Sequence, residues 1–169
     1  GLVATVRSVG QVGLTYPQNF VAPLMIVWNF TQACNLTCKH CYQNAGARAD
    51  DELTLGEQKR IVDVLADRNV AMIAFSGGEP VMSPTFLPVA RYAADRGIHL
   101  TVATNGTLCT AEKVQAMVDA GIRYVEISLD SVDPARHDAF RGPRAWERAV
   151  EGIRNVVANP DVKCGVAMT

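Results

Sequence analysis

Short apolar runs recur along the chain, each bounded by polar residues, glycine or proline. The clearest of them lie at 24–27, 70–75, 98–103, 122–129 and 162–168. Runs of this length with little polar alternation are typical of strands buried on both faces, as in a parallel sheet. The pattern therefore predicts buried strands at these positions.

Segments with helical spacing of apolar residues fill the gaps between these strands. Thr54, with Glu57 three residues later, forms the signature of a capping box and predicts a helix beginning there. Ser83 before Pro84 predicts the start of a second helix, which Gly97 would end. Each gap of this part of the chain is therefore expected to hold a helix.

Two further helices and one shorter element are expected later in the chain. Thr110 is positioned to open the third helix and Gly121 to end it, while Pro160 ends the fourth. Asp133 followed by Pro134 predicts a short helical turn after the fourth strand. Strand and helix thus alternate along the chain.

The spacing of the predicted strands limits the fold class. Three of them end near 75, 103 and 129, and these intervals are close to the ~30 residues of a strand–helix–strand unit. This spacing favours an α/β fold with a parallel sheet, either barrel-like or doubly wound. Residues 1–20 fit neither period and are predicted to be an N-terminal extension, with residues 21–169 forming the core domain.

Composition and charge exclude several classes of protein. The chain has 169 residues, of which 49% are apolar and 20% charged, as expected for one globular domain. Sixteen Lys and Arg against 17 Asp and Glu give a net charge of −1, which argues against a nucleic-acid partner. The longest apolar stretch, 21–28, is shorter than the ~20 residues that cross a bilayer, and no signal-peptide pattern precedes it. We expect a cytoplasmic protein without a membrane partner.

Residues suited to chemistry follow the predicted strands at their carboxyl ends. In barrels and open sheets of parallel strands, all these ends meet at one edge, where ligands bind. The residues are Cys34, Cys38 and Cys41 after the first strand, 76–80 after the second, Thr104 and Asn105 after the third, and Ser128 and Asp130 after the fourth. The sequence therefore predicts one site built from four distant loops.

The cysteines in the segment CNLTCKHC have a density that suits an iron–sulfur cluster or zinc. An odd total of five cysteines argues against a disulfide framework. With Cys34, Cys38 and Cys41 as ligands, a four-iron cube would keep one iron open to an external ligand. Structural zinc would need a fourth ligand, and His40 is badly placed for that role. Three buried thiols without a ligand are the remaining interpretation.

The glycines of the segment SGGEP would let a ligand approach the backbone closely. Glu79 could accept hydrogen bonds from an ammonium group, or it could be a surface glutamate in an ordinary strand-to-helix turn. Asn105 and Ser128 offer polar contacts suited to a ribose, although either could instead cap a turn or a helix.

Taken together, these motifs resemble those of the radical S-adenosylmethionine enzymes. Cys34-x3-Cys38-x2-Cys41 matches their cluster motif and 76–80 matches their glycine–glutamate motif, in the same order and at the same separation. The resemblance extends from about residue 24 to the end of the chain. It implies a partial (βα)6 barrel with a 4Fe-4S cluster on the three cysteines, at the carboxyl edge of the strands. Because the strand pattern stops before a sixth strand, the chain is expected to end before the barrel is complete.

The resemblance also implies how S-adenosylmethionine is bound. Its methionine amino and carboxylate groups would chelate the open iron, and Gly77, Gly78 and Glu79 would also hold the amino group. Asn105, Ser128 and Asp130 fall where the family contacts the ribose or the methionine carboxylate, and His40 and Tyr42 fall near the adenine. Thr104, next to Asn105, is also predicted to contact the cofactor. Asp130 could instead cap the following segment.

The stretch from Ser128 to Gly142 is similar to a subgroup with an auxiliary-cluster domain of the SPASM or twitch type. That subgroup includes peptide maturases and enzymes of molybdopterin and haem synthesis. In it, an arginine at the position of Arg141 pairs with the methionine carboxylate. The alternative is a solvated charge beside Asp138.

The activity that the resemblance implies is reductive cleavage of S-adenosylmethionine to a 5′-deoxyadenosyl radical, which abstracts hydrogen from a substrate. A peptide or small-molecule substrate and a reductant such as ferredoxin or flavodoxin are the implied partners. Two alternatives lie outside this class: a non-catalytic iron–sulfur module for electron transfer or binding, and a zinc-stabilised interaction protein.

Overall fold

The strands form a single parallel sheet in a computed structural model that describes residues 22–168. Its strands are β1 (Met25–Asn29), β2 (Met72–Ser76), β3 (His99–Thr104), β4 (Ile122–Ser128) and β5 (Lys163–Ala167). Each strand pairs with the next one in sequence, in the order β1-β2-β3-β4-β5. A doubly wound sheet would reverse this order at a switch point, so the order is that of a barrel wall. The predicted N-terminal extension, 1–20, lies outside the described residues.

Helices occupy the connections between consecutive strands. They are α1 (Leu55–Asp67), α2 (Phe86–Ala94), α3 (Ala111–Asp119), α4 (Pro134–Arg141) and α5 (Ala145–Ala158), with a 3₁₀ helix at Pro80–Met82. None of the helices within residues 22–168 is long and apolar enough to cross a membrane.

The predicted helix starts are confirmed at three of four positions. Thr54 caps α1 in a complete capping box, with the backbone N–H of Thr54 donating to Glu57 Oε2 at 2.8 Å. Thr110 caps α3, and Asp133 caps α4 by accepting a hydrogen bond from the backbone of Ala135 at 2.9 Å. The element after Asp133 is an eight-residue helix rather than the predicted short turn.

The predicted start of the second helix at Ser83 is wrong. Ser83 ends the 3₁₀ helix with an extended backbone, which the following Pro84 favours. Its hydroxyl lies 3.1 Å from the hydroxyl of Thr85 and does not cap a helix. Helix α2 begins at Phe86 instead.

The hydrophobic core lies between one face of the sheet and the helices. Alternate strand residues such as Ile73 and Phe75 are fully buried there, and the rings of Phe75 and Phe86 pack edge to face at 5.3 Å. The opposite face is apolar but open within the described residues, since Met25 is 51% exposed and Val27 58% exposed. Within the described residues the strands are therefore buried on the face that the helices cover, and the prediction that they are buried on both faces is wrong for the opposite face. Both faces carry apolar residues, and this is why the runs do not alternate.

Candidate functional site

A cavity of about 240 Å³ opens at the carboxyl edge of the sheet. Its walls come from the loop after β1 and from the ends of β2, β3 and β4. Most of the predicted site residues line it: Cys34, Cys38, His40, Cys41, Tyr42, Gly77, Gly78, Thr104, Asn105, Ser128 and Arg141. Glu79 and Asp130 do not line it: Glu79 is completely buried, and Asp130 lines a neighbouring cavity together with His40.

The loop after β1 that carries Cys34, Cys38 and Cys41, here called the cysteine loop, is attached by backbone hydrogen bonds to the segment 76–80, here called the glycine turn. The N–H of Gly78 donates to the carbonyl of Thr31, and the N–H of Glu79 donates to the carbonyl of Ala33, both at 2.7 Å. These bonds continue the pairing of β1 with β2 beyond the ends of the strands. As a result, the first cysteine follows a segment whose position the sheet fixes.

Gly77 and Gly78 are glycines because the cysteine loop approaches them closely. Gly77 has a φ of 123°, and a Cβ atom there would lie 2.8 Å from the carbonyl oxygen of Thr31. A Cβ atom on Gly78 would collide with the carbonyl oxygen of Ala33 and lie 2.8 Å from that of Gln32. Both glycines also line the cavity, so the same missing side chains leave its wall open to a ligand.

Glu79 is completely buried, so the alternative of a surface glutamate is wrong, while its contact with an ammonium group of a ligand stays a prediction. Its Oε1 accepts hydrogen bonds from the hydroxyl of Thr104 at 2.8 Å and from the N–H of Val81 at 3.3 Å, and its Oε2 accepts one from the N–H of Asn105 at 2.8 Å. Burial raises the pKa of this carboxyl group, and these hydrogen bonds lower it in part. The carboxylate therefore joins the glycine turn to the loop after β3.

The side chain of Asn105 bonds to the cysteine loop. Its Nδ2 donates to Asn35 Oδ1 at 2.9 Å and lies 4.0 Å from Cys34 Sγ, while its Oδ1 accepts a hydrogen bond from the backbone of Thr107 at 2.9 Å. That last bond shows that Asn105 does cap its own turn, one of the two predicted roles. Asn35 also donates to the hydroxyl of Thr107 at 2.8 Å. Asn35 and Thr107 were not predicted, because their only sequence signal is polarity.

Asp130 and Arg141 form a two-bond ion pair at the opposite side of the cavity. Arg141 Nε and Nη2 donate to the two carboxylate oxygens at 2.6 and 2.9 Å, and the side chains are 10% and 9% exposed for Arg141 and Asp130. Burial would lower the pKa of Arg141, but the bonds to Asp130 raise it overall. The alternatives of a solvated Arg141 beside Asp138 and of Asp130 as a helix cap are therefore wrong.

The carboxyl-terminal part of α4 bonds to the cysteine loop through contacts that we call the α4 latch. The N–H of Lys39 donates to the carbonyl of Phe140 at 2.8 Å, and the rings of His40 and Phe140 lie 5.9 Å apart. His40 Nε2 lies 3.7 Å from Asp130, whose backbone N–H donates to Nδ1 of His137 at 3.2 Å. These contacts, together with the pair of Asp130 and Arg141, make up the α4 latch. They depend on a helix that the sequence predicts only as a short turn.

The sulfur atoms provide a donor set that fits an iron–sulfur cluster. Cys34, Cys38 and Cys41 line one cavity, and thiolates are the usual ligands of such clusters. Burial raises the pKa of the thiols of Cys34 and Cys38, and the charge of Arg141 partly lowers that of Cys38. In residues 22–168, no three His, Cys, Asp or Glu side chains converge as they would around a single ion.

Two predicted residues remain at the mouth of the cavity. Tyr42 is 80% exposed, and its hydroxyl accepts a hydrogen bond from the neighbouring Gln43 at 2.9 Å. Ser128 is half-buried at the end of β4. Their contacts with a cofactor stay a prediction.

A barrel-like parallel sheet whose carboxyl edge carries three cysteines and a glycine turn defines a class: α/β proteins with a cysteine-lined cavity at the carboxyl edge of the sheet. Within that class, the chain belongs to the Radical SAM superfamily, whose sequence profile matches residues 28–167. The predicted superfamily is thus confirmed, while the SPASM or twitch subgroup stays a prediction.

Curated relatives share about a third of the sequence or more. An AdoMet-dependent heme synthase of Methanosarcina barkeri is 40% identical over 134 residues, which cover 78% of this chain and 38% of that protein. The mycofactocin maturase MftC of Mycobacterium tuberculosis is 33% identical over 150 residues, covering 88% of this chain and 38% of its own. The chain therefore spans less than two-fifths of the length of these relatives.

Solved structures share the fold at lower identity. SuiB of Streptococcus suis bound to S-adenosylmethionine has a TM-score of 0.76 and 20% identity, over 99% of this chain and 38% of that one. The enzyme anSMEcpe with bound AdoMet has a TM-score of 0.71 and 17% identity, over 85% of this chain and 43% of that one. These likenesses confirm the predicted α/β barrel-type fold.

Proposed function

We propose that this chain is the catalytic core of a radical SAM enzyme. Such an enzyme cleaves S-adenosylmethionine reductively, and the resulting radical abstracts a hydrogen atom from a substrate. One observation carries the proposal: the three cysteine thiols and the side-chain-free wall of Gly77 and Gly78 line the same cavity. When bound, a 4Fe-4S cluster with S-adenosylmethionine supplies the electron and the 5′-deoxyadenosyl radical. The protein's part is to bind, orient and shield the cofactor.

The cysteines would hold the cluster, with Arg141 beside Cys38 as a fixed positive charge. The glycine turn admits the methionine end of the cofactor because no side chain fills that wall. Arg141 is held in place by Asp130, and we assign it to the methionine carboxylate of the cofactor.

The remaining polar residues of the cavity are assigned to the ribose and the adenine. Thr104, Asn105 and Ser128 are suited to the ribose, and His40 and Tyr42 to the adenine. Glu79 acts from behind the wall, by fixing the backbone of Asn105.

A role in maturation of a peptide or a cofactor is supported by the names of the curated relatives, a heme synthase and a mycofactocin maturase. SuiB, which shares the fold, has also been solved bound to its precursor peptide SuiA. We propose a peptide or small-molecule substrate and an external one-electron donor of the ferredoxin or flavodoxin type. A cytoplasmic location fits such a reduced, oxygen-sensitive cofactor.

The test is anaerobic reconstitution of the full-length protein with iron and sulfide, followed by reduction with dithionite. We expect visible absorbance of a cluster and release of 5′-deoxyadenosine, detected by mass spectrometry. Cys38→Ala should abolish both signals. Cys164→Ala is the matched control, since this cysteine lies on β5 outside the cavity and should leave both signals unchanged.

Two outcomes would contradict the proposal in different ways. A reducible cluster without binding or cleavage of S-adenosylmethionine would indicate an electron-transfer module. One zinc ion per chain, without iron or labile sulfide, would indicate a zinc-stabilised interaction protein.

A further inference from the structure

A second cavity adjoins the cofactor cavity on the open face of the sheet. This groove, of about 620 Å³, lies along β1 to β4 and is lined mainly by apolar side chains. Ser76 and Ala103 line both cavities. The two spaces therefore share a wall, and a molecule in the groove would reach the edge where the cofactor is proposed to bind.

Glu126 is the charged residue of this groove. It lies on β4 and is half-buried, and within residues 22–168 its side chain forms neither an ion pair nor a hydrogen bond. A half-buried carboxylate beside apolar surface loses hydration and gains nothing unless a donor or a cation meets it. Nothing in the fold of the described residues calls for a charge at this position.

The strand residues paired with Glu126 are small. Its partners in register are Ala103 on β3 and Gly165 on β5, and neither has a large side chain of its own. The hydroxyl of Tyr124 occupies the space where a Cβ atom of Gly165 would lie. Lys163 pairs with Tyr124 and not with Glu126, and lies farther from the cofactor edge. Tyr124 and Glu126 thus form a polar strip on a wall that is otherwise mainly apolar, with Ser76 and Thr101 as its other polar residues.

The position of Glu126 relative to the cofactor cavity is suited to anchoring a substrate. It precedes Ser128 by two residues on the same face of β4, a separation of about 7 Å along a strand. Ser128 lines the cofactor cavity. If a substrate group bound to Glu126, the substrate's carbon atoms a few bonds away would lie near Ser128, where the radical is proposed to form.

We propose that Glu126 binds a cationic nitrogen of the substrate, specifically a lysine or arginine side chain of a peptide whose apolar part occupies the groove. This inference rests on the proposed function and narrows its substrate class. A carboxylate would be repelled by Glu126, and the propionate groups of a tetrapyrrole are therefore disfavoured at this position. Of the substrate classes named in the proposed function, a peptide is therefore the one that this groove favours.

The test measures binding to the full-length protein without its cluster, so it does not depend on radical chemistry. The probes are the tripeptides acetyl-Leu-Lys-Leu-amide and its norleucine and glutamate counterparts, titrated by calorimetry. We expect the lysine peptide to bind at least about tenfold more tightly than the norleucine peptide, as for a hydrogen bond to a charged group. Glu126→Gln should remove this preference, and Glu126→Lys should shift it toward the glutamate peptide.

Glu151→Gln is the matched control, because Glu151 is an exposed glutamate of α5 that forms an ion pair with Arg154 on the same helix. It should leave the preference unchanged, and circular dichroism should show that all variants are folded. Equal binding of the three peptides by the unmodified protein, or a lysine preference that survives Glu126→Gln, would overturn the inference. Release of 5′-deoxyadenosine would be unaffected in either case, so the proposed function stands or falls separately.

Discussion

The loop that carries the cysteines is held from two sides, and the two sides use different physical means. On one side, the glycine turn is attached by backbone hydrogen bonds and by the buried carboxylate of Glu79. On the other, the α4 latch is attached by the ion pair of Asp130 with Arg141 and by a hydrogen bond to His137. The first attachment depends on close fit, the second on charge.

Because of this difference, we expect the two attachments to respond to different kinds of change. Cys34 lies beside the glycine turn and the side chain of Asn105, whereas Cys38 lies beside Arg141 in the α4 latch. A change of shape should therefore damage the first attachment most, and a change of charge or pH should damage the second.

The largest effect is expected from a single methyl group in the glycine turn. In Gly78→Ala, the new Cβ atom collides with the backbone carbonyl of Ala33, which cannot move without breaking its bond to Glu79. The free energy of unfolding should fall by about 3 kcal/mol, at the upper end of the overpacking range. Urea unfolding measures this change.

Gly46→Ala is the control for that substitution. Gly46 lies in the cysteine loop, and its backbone bonds to Gln32 and Cys34. A Cβ atom on Gly46 would meet nothing within 4 Å. Its free energy of unfolding should change by less than about 0.5 kcal/mol. Equal losses in the two variants would show that close fit is not what holds the glycine turn.

The next largest effect is expected on the side of the α4 latch. Asp130→Asn keeps the shape of the side chain but leaves Arg141 without its counter-charge in a nearly buried position. We expect a loss of about 2 kcal/mol in the free energy of unfolding, less than for complete removal of a buried partner because the amide oxygen still accepts a hydrogen bond.

The control for Asp130→Asn is Glu147→Gln, which breaks the exposed pair of Glu147 with Arg144. Exposed pairs contribute little, so its cost should stay below about 0.5 kcal/mol. If both substitutions cost the same, the charge of Asp130 does not stabilise the α4 latch.

The features of the fold that the sequence predicts well are local ones. Every strand lies within two residues of its predicted bounds, and Thr54, Thr110 and Asp133 cap helices as expected. Apolar runs and caps depend on residues that are neighbours in the chain, and for this reason a single sequence contains them. The meeting of the four loops at one edge follows from parallel strands alone.

What the sequence does not predict depends on which distant residues meet. The burial of Glu79 follows from the approach of Thr104 and Asn105, and the ion pair of Arg141 follows from the way α4 meets the loop after β4 at Asp130. Neither arrangement has a local signal. The error at Ser83 has a different origin, since one motif of serine and proline serves both to end a 3₁₀ helix and to begin an α-helix.

A smaller effect is expected for the contact between the glycine turn's neighbour Asn105 and the cysteine loop. Asn35→Ala removes the bonds of Asn35 to Asn105 and Thr107, which cross between the two loops. The free energy of unfolding should fall by about 1 kcal/mol. The alkylation rate of Cys34 by iodoacetamide in the cluster-free protein should rise by about fivefold. Gln43→Ala, which loses only a bond to the exposed Tyr42, should leave the rate unchanged. A rate unaffected by Asn35→Ala would mean that this contact does not restrain Cys34.

The smallest effect is a response to pH that has opposite signs on the two sides. Burial lowers the pKa of His137 below its ordinary value, so the stability that this group contributes is complete above about pH 6.5 and is lost as the pH falls through the lowered pKa. Burial raises the pKa of Glu79, so its contribution is complete below about pH 4.3 and is lost as the pH rises through the raised pKa. Acidification should therefore weaken the α4 latch while it strengthens the glycine turn.

Two backbone amides report these opposite responses separately. The N–H of Asp130 donates to His137, and the N–H of Asn105 donates to Glu79. Between pH 7 and pH 5, hydrogen-exchange protection, corrected for the intrinsic rate, should fall at Asp130 and should not fall at Asn105. His137→Asn, whose amide oxygen accepts the same bond but does not titrate, should remove the fall at Asp130. If protection at the two amides changes in parallel, or if the fall at Asp130 persists in the variant, then charge does not distinguish the two attachments and the cysteine loop is held as one unit.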